Sequence, residues 1–367
     1  MIVLLALLVW LYLIFLHGNF WESGPELKPA RPLTAPAVDI IVPARDEAAL
    51  IAPVIASLVA QDYPGEFRVI LVDDNSTDGT AAAAGTHPRL TILTGAPKPE
   101  GWAGKLWAVA QGVAASTAPL VFLTDADITH DPRHLSTLVS RLNTPRVDMV
   151  SEMVRLNCTS WPERLLIPAF VYFFQMLYPF ACVNNPRARM AAAAGGTVLL
   201  RREALRRAGG IEAMKGALID DVTLAKAMKK NGAIYLGHSG LAQSIRPYPA
   251  ARDIWDMIAR SAFTQLDYSA LILAGTIVGL SLVWLAAPCA ILFSGPFTWR
   301  FYAGLATFGL AILSYRPTLL RYNQPLYLAL ALPGIAVFYM AATIASAVQY
   351  WRGTGAKWKS RAYGGAK

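Results

Sequence analysis

The chain has 367 residues and a formal net charge of +9, with 55% hydrophobic and only 16% charged residues, and its mean hydropathy is +0.39. Soluble domains carry roughly a quarter charged residues, so this composition argues against a wholly water-soluble globule and for part of the chain in lipid. No interleaving of aromatic and basic residues points to nucleic acid, and the scattered Cys158, Cys182 and Cys289 form neither a disulfide framework nor a metal-ligand spacing.

In chain order, MIVLLALLVWLYLIFLHGNFW (1–21) has no charged residue before Glu22 apart from a neutral His17. It lacks the basic start and small-residue cleavage site of a signal peptide, which predicts an uncleaved transmembrane anchor followed by a linker over 22–37. Residues 38–267 then read as a water-facing α/β domain. Val38–Val42 and Phe67–Val72 are short apolar runs between polar turns, the pattern of buried parallel strands. Ala48–Ala60 between them repeats apolar positions at helical spacing. A second helix is expected after Asn75-Ser76-Thr77, with Ser76 or Thr77 as its cap. Leu90–Leu93 as strand, Leu106–Ala115 as helix and Leu120–Leu123 as strand continue the alternation, which predicts a doubly wound sheet.

Ligands of such sheets sit beyond the carboxyl ends of the strands, where Asp73-Asp74 and Asp125-Ala126-Asp127 both fall. Two carboxylates this close repel and raise one another's pKa. A divalent cation removes the conflict, and hard oxygen ligands suit Mg²⁺ or Mn²⁺. Against this stands a solvated loop whose aspartates cap the next helix. VDDNSTDGT (72–80) starts like an EF-hand loop but has Gly85 where Glu is required, so that reading fails. It is either a turn with a helix cap or a site where Asp74 accepts hydrogen bonds from a base or ribose. GWAGKLW (101–107) is not a P-loop, because Pro99 and Leu106 stand where Gly and Ser or Thr are needed. Lys105 remains a candidate cation for phosphate. LIDDVTLAKAMKKNG (218–232) puts Asp220 and Asp221 at the head of an amphipathic helix, where the dipole favours acids and where either could serve as a general base.

Leu165–Val183 is uncharged over 19 residues. A crossing there would put Asp127 and Asp221 on opposite faces of a bilayer, so an interfacial helix or lipid-lined groove is expected, with a buried core helix as the alternative. Trp255, Met257, Ile258 and Phe263 suggest a second surface-lying helix within 252–267. Tyr268–Phe293 and Pro325–Tyr350 are long enough to cross, making 268–351 a membrane region. Phe301–Tyr315, bounded by Arg300 and Arg316, is expected to stop short. Three crossings would otherwise leave the basic tail 352–367 (Arg352, Lys357, Lys359, Arg361, Lys367) outside, against the positive-inside tendency.

Five stretches in this order, IIVPARDE (40–47), VILVDDNSTDGT (69–80), LTDADI (123–128), GGTVLLRREALRRAGGI (195–211) and IDD (219–221), resemble the glycosyltransferase family 2 pattern. GWAGKLWA, LTDADITHDP, LLIPAFVYFFQMLYPFACVNNP, AAAAGG and the tail AKWKSRAYGG look most like its membrane-bound hopene-associated members. The resemblance implies a GT-A fold, Rossmann-like with a mostly parallel sheet. It implies Pro43, Arg45 and Glu47 in the nucleotide pocket, Asp74 at the base, Asp127 as principal metal ligand and Asp125 near ribose and metal. Asp221 matches the family's catalytic base and Asp220 its acidic neighbour, for inverting transfer of one sugar from a nucleotide-sugar, UDP-linked by expectation. A lipid acceptor, hopanoid-related, is implied at the cytoplasmic face of the inner membrane, with multi-pass anchoring; carotenoid or undecaprenyl phosphate transfer, a nucleotidyltransferase or an inactive membrane scaffold are alternatives. Two residues depart from the pattern: Asp46 stands where Asn is usual before Glu47, and of Q-x-x-R-W only Arg260 remains. The loss of that motif disfavours a polymerising enzyme and leaves Arg260 as a candidate diphosphate contact.

Overall fold

The computed structural model describes residues 1–217, 220–354, 357–358 and 361–362. Ile219 of the IDD motif, together with Lys359 and Lys367 of the basic tail, therefore lies outside the described residues. The chain divides into two compact units. One gathers Pro25–Asn157 and Cys182–Pro247, and the other gathers Met1–Gly24, Cys158–Ala181 and residues 248–354.

The first unit is built on eight strands: β1 (Val38–Ala44), β2 (Phe67–Asp73), β3 (Leu90–Thr94), β4 (Leu120–Thr124), β5 (Ile128–His130), β6 (Val147–Arg155), β7 (Thr197–Arg201) and β8 (Ala233–Ser244). Their order is β3-β2-β1-β4-β7-β6-β8-β5. Every residue of β1 is buried, as expected of a central strand covered on both faces. Its one charge, Asp39, meets Arg68 at 2.6 Å and accepts the Ser116 hydroxyl and the Thr117 and Ala118 amides. Burial alone would raise its pKa, but these partners outweigh it and hold the carboxyl down at about 2. The expected strands and the helices Ile51–Val59 and Gly104–Ala115 form with bounds shifted by a few residues.

The sheet is mostly parallel but mixed. β3, β2, β1 and β4 are parallel, as are β6 and β8, whereas β7 runs antiparallel to both β4 and β6, and β5 antiparallel to β8. Hydrophobic runs reveal burial but not direction, so the reversal was invisible to sequence alternation. The order reverses at β1, between β2 and β4, which opens a crevice at their carboxyl ends. The antiparallel pairing matters there, because the register Thr124↔Thr197 puts the start of β7 beside the end of β4.

Neither Ser76 nor Thr77 caps the next helix. That helix is only Thr80–Ala83, with Gly79 at its N-cap in a left-handed conformation. Instead the loop is tied across to the one after β1. Ser76 Oγ accepts from Asp46 N at 2.9 Å, Thr77 N donates to Asp46 Oδ1 at 2.8 Å, and Asp78 Oδ2 accepts from Ala48 N. Asp46 has φ of 51°, a conformation that Asn and Asp tolerate best among residues with a Cβ, so Asp replaces Asn here without strain.

The second unit is helical. Its helices are Ile2–Phe15, Trp161–Leu177, Ala251–Ala259, Ala270–Phe293, Trp299–Arg321 and Leu332–Trp351. Two are long and apolar enough to cross a bilayer, Ala270–Phe293 and the span Leu326–Trp351. The N-terminal helix has 14 residues, or about 21 Å at 1.5 Å per residue, short of the ~30 Å core expected of an anchor. Trp299–Arg321 is a continuous 23-residue helix, longer than the expected 301–315, because neither Arg316 nor Pro317 ends it.

The helices near 165–183 and 252–267, expected in the α/β domain, pack in this unit instead. Leu166, Ile167, Val171 and Tyr172 of the first are buried, as are Ile254 and Ile258 of the second, and Tyr172 OH bonds Ser314 Oγ at 2.6 Å. Ser160 and Glu163 cap the first helix reciprocally. Buried Glu163 accepts the Thr159, Ser160 and Tyr248 amides. Burial opposes its ionisation, yet these donors hold its pKa at about 2.

Candidate active site

Pro43, Lys105, Asp125, Asp220 and Asp221 line one cavity of the sheet unit, so five of the residues singled out from sequence share one space. Asp125 follows β4 directly, and Lys105 lies in the first turn of helix Gly104–Ala115. Lys105 Nζ is 2.7 Å from Asp125 Oδ1 and 3.7 Å from Asp220 Oδ2. Asp220 and Asp221 open helix Asp220–Lys229, where free amides and the dipole favour negative charge. Asp221 Oδ2 accepts from Gly195 N at 2.9 Å, and its Oδ1 accepts from Val222 N. Gly195 precedes β7, so the antiparallel strand carries the anchor of Asp221 to the end of β4.

Electrostatics divide the acids. Leu106, Val109 and Leu224 give the cavity an apolar wall. Burial, reinforced by Asp220, pushes the Asp221 carboxyl up to about 7 against the pull of Lys105 and two amides. Asp125 is also raised, by burial and by Asp127, with Lys105 opposing. Burial would lower the Lys105 pKa, but Asp125, Asp220 and Asp221 together raise it, so Lys105 stays charged. A carboxylate poised near 7 suits proton abstraction at neutral pH.

A second cluster holds the other predicted acids. Arg246, two residues past β8, donates to Asp127 Oδ2 at 2.5 Å and to Glu47 Oε1 at 2.6 Å. Ile245 N bonds Asp127 O at 2.8 Å, so the β5–β8 pairing sets this contact. Sequence reasoning missed Arg246; an arginine two residues beyond an apolar strand has no local mark. Arg45 pairs with Asp74, whose carboxyl is fully buried, at 3.7 Å, and with Asp46 at 3.8 Å. Arg260 is exposed at the end of helix Ala251–Ala259 in the helical unit and is not among the residues gathered in the sheet unit.

The carboxylates of Asp125 and Asp127 are hard oxygen donors that fit Mg²⁺ or Mn²⁺. Acids outnumber cations around them: Lys105 faces Asp125, Asp220 and Asp221, and Arg246 faces Asp127 and Glu47. Among the described residues no three His, Cys, Asp or Glu side chains converge as a ready ligand set. A cation here would complete its shell with ligand oxygens and water, as Mg²⁺ commonly does.

Comparison with known proteins agrees with the geometry. Residues 39–209 match the family described as Glycosyl transferase family 2. An N-acetylglucosaminyltransferase of Rhizobium meliloti (strain 1021) is 31% identical over 199 residues, covering 50% of this chain and 44% of the relative. An uncharacterized glycosyltransferase of Mycobacterium tuberculosis (strain ATCC 25618 / H37Rv) is 35% identical over 107 residues, 29% of this chain and 44% of the relative. The chain thus spans less than half the length of these curated relatives. In fold, it resembles a mannosyltransferase from Pyrobaculum calidifontis solved with GDP-Man and Mn²⁺, at 22% identity and a TM-score of 0.57 over 95% of this chain and 97% of that one. The shared fold is GT-A.

Proposed function

We propose that this protein, through its glycosyl transferase family 2 domain, moves a single sugar with inversion from a nucleotide-sugar to a membrane lipid. The observation that carries the reading is the meeting of Asp125, Lys105, Asp220 and Asp221 on one cavity at the carboxyl end of β4. Glu47, Asp127 and Arg246 flank the donor side, with Pro43, Arg45 and Asp74 at the nucleotide side. Asp125 and Asp127 would hold a divalent cation, which when bound offsets charge on the diphosphate. Lys105, kept charged by its acidic neighbours, orients Asp125 toward the same diphosphate. Asp221, fixed by Gly195 and Val222, takes the proton of the acceptor hydroxyl. The freed oxygen attacks the anomeric carbon while the bond to diphosphate breaks.

The acceptor reading draws support from the two span-length apolar helices. We read them as multi-pass anchoring in the inner membrane with the sheet unit toward the cytoplasm. A hopanoid-related acceptor rests on the motif resemblance, and the donor is read as a UDP-sugar. The N-acetylglucosaminyltransferase relatives make UDP-N-acetylglucosamine the first donor to try. Purified protein with Mn²⁺ and a panel of UDP-sugars should release UDP slowly, and faster with acceptor lipid. Transfer surviving Asp221→Asn would remove the assigned base, and full activity in excess chelator would remove the cation. A deletion strain with an unchanged set of glycosylated lipids would overturn the acceptor class.

A further inference from the structure

A buried chain of four polar side chains lies behind the site and has no part in the reaction just described. Thr124 ends β4, His130 ends β5, His134 opens helix His134–Leu142 and Glu152 lies in β6. None is more than 5% exposed. Thr124 Oγ1 is 2.9 Å from Gly196 O and 3.0 Å from His130 Nε2. His130 Nδ1 is 2.8 Å from His134 Nδ1, and His134 Nε2 is 2.8 Å from Glu152 Oε2. The two rings are tilted by only 16° with 5.0 Å between centroids, so they lie edge to edge, as an in-plane hydrogen bond between their Nδ1 atoms requires.

Counting hydrogens fixes the charge of this chain. A carbonyl oxygen only accepts, so the Thr124 hydroxyl donates to Gly196 and His130 Nε2 must donate to Thr124. One hydrogen lies between the two Nδ1 atoms, and another between His134 and Glu152. Two neutral imidazoles supply only two of these three hydrogens. The third offsets the Glu152 carboxylate, so the chain is neutral overall, as a site this dry requires. Burial, with His134 alongside, pushes the His130 pKa well below its ordinary value, which leaves the extra proton on the His134–Glu152 pair.

We propose that Glu152, His134 and His130 are positioning residues for sugar transfer, a proton-loaded chain that clamps Thr124 and Gly196. Asp125 and Gly195 are the next residues along the backbone, and they hold Lys105 and the Asp221 carboxylate. The chain therefore sets the separation between the donor side and the base. This inference rests on the reading of Asp221 as base, but its first test does not.

In full-length protein labelled with ¹⁵N-histidine, His130 should appear as the Nε2–H tautomer with a bare Nδ1, its signals assigned through His130→Gln. An Nδ1–H tautomer overturns the chain whether or not the protein transfers sugar, and if no transfer is found this measurement decides the chain alone. In kinetics, Glu152→Ala should lower kcat about 10²-fold with the donor KM within about threefold, the cost of a misplaced reacting group. Glu152→Gln should stay within about fivefold of wild type in kcat, because its amide can donate to His134 Nε2 and leave both imidazoles neutral. Glu152→Gln as slow as Glu152→Ala, or Glu152→Ala as fast as wild type, overturns the proposal. Should Glu152→Ala fail to fold, Thr124→Val removes only the hydroxyl at the site end of the chain, and the same kcat loss is expected; an unchanged kcat there overturns it.

Discussion

The two units use apolar residues in opposite ways. In the sheet unit Val38, Ile40, Ile41 and Val42 are fully buried, and charge collects at the strand ends. In the helical unit Leu271, Leu292 and Phe293 are exposed at 83%, 74% and 84%, while Tyr172 and Ser314 bond to each other inside. Soluble monomers rarely expose large contiguous apolar patches. The contrast supports the proposed membrane anchoring.

The largest expected effect lies in the sheet unit. Asp221→Asn should lower sugar transfer at least about 10³-fold, on the scale lost with a general base, while donor affinity by calorimetry changes by less than about threefold. A comparable loss of donor affinity would mean that residue 221 binds rather than reacts. The contrast between surfaces breaks or holds at Val278, which is 69% exposed in Ala270–Phe293. Val278→Lys should cost roughly 2.5–3.5 kcal/mol of membrane insertion if that face meets lipid, read as loss from the membrane fraction. If it meets water, the change should be within about 0.5 kcal/mol.

Glu163→Ala sharpens the comparison from inside the helical unit. It strands three backbone amides and should cost about 2–3 kcal/mol, seen as a lowered Tm. The folded pKa of Glu163, about 2, is depressed below its ordinary 4.5. Its stabilisation is therefore present above pH 4.5 and lost as pH falls toward 2, and the variant should lack that part of the acid transition.

The smallest effect is a shift of profile. As the proposed base, Asp221 would have to be ionised, so kcat/KM should rise with pH through about 7. Asp220→Asn removes a neighbouring negative charge and should move that limb to lower pH. The sign for stability is opposite to that of Glu163. A folded pKa raised above the ordinary 3.8 makes Asp221 cost stability as pH rises from about 4 to about 7, and Asp220→Asn should relieve part of it. An unmoved limb would assign it to another group.

Much of this protein was legible in its sequence because the signals are local. Buried strands announce themselves by apolar runs, so β1 to β4 and the helices between them fell where expected, with Asp125, Asp127, Asp220 and Asp221 at element ends. The Asn-Ser-Thr-Asp-Gly turn was legible as a turn, though not the stitching of Ser76 and Thr77 to Asp46, which needs two loops side by side. What only the tertiary structure decided is direction and distance. β7 runs against β4 and brings Gly195 to Asp221; β8 ends beside Asp127 and delivers Arg246; β5 and β6 close the histidines onto Glu152. An alternating pattern records which face of a strand is dry, and a charge at its end records that water or ligand is near. Neither records which strand lies alongside, because the ladder between strands is made by backbone hydrogen bonds that every residue type but proline can both donate and accept.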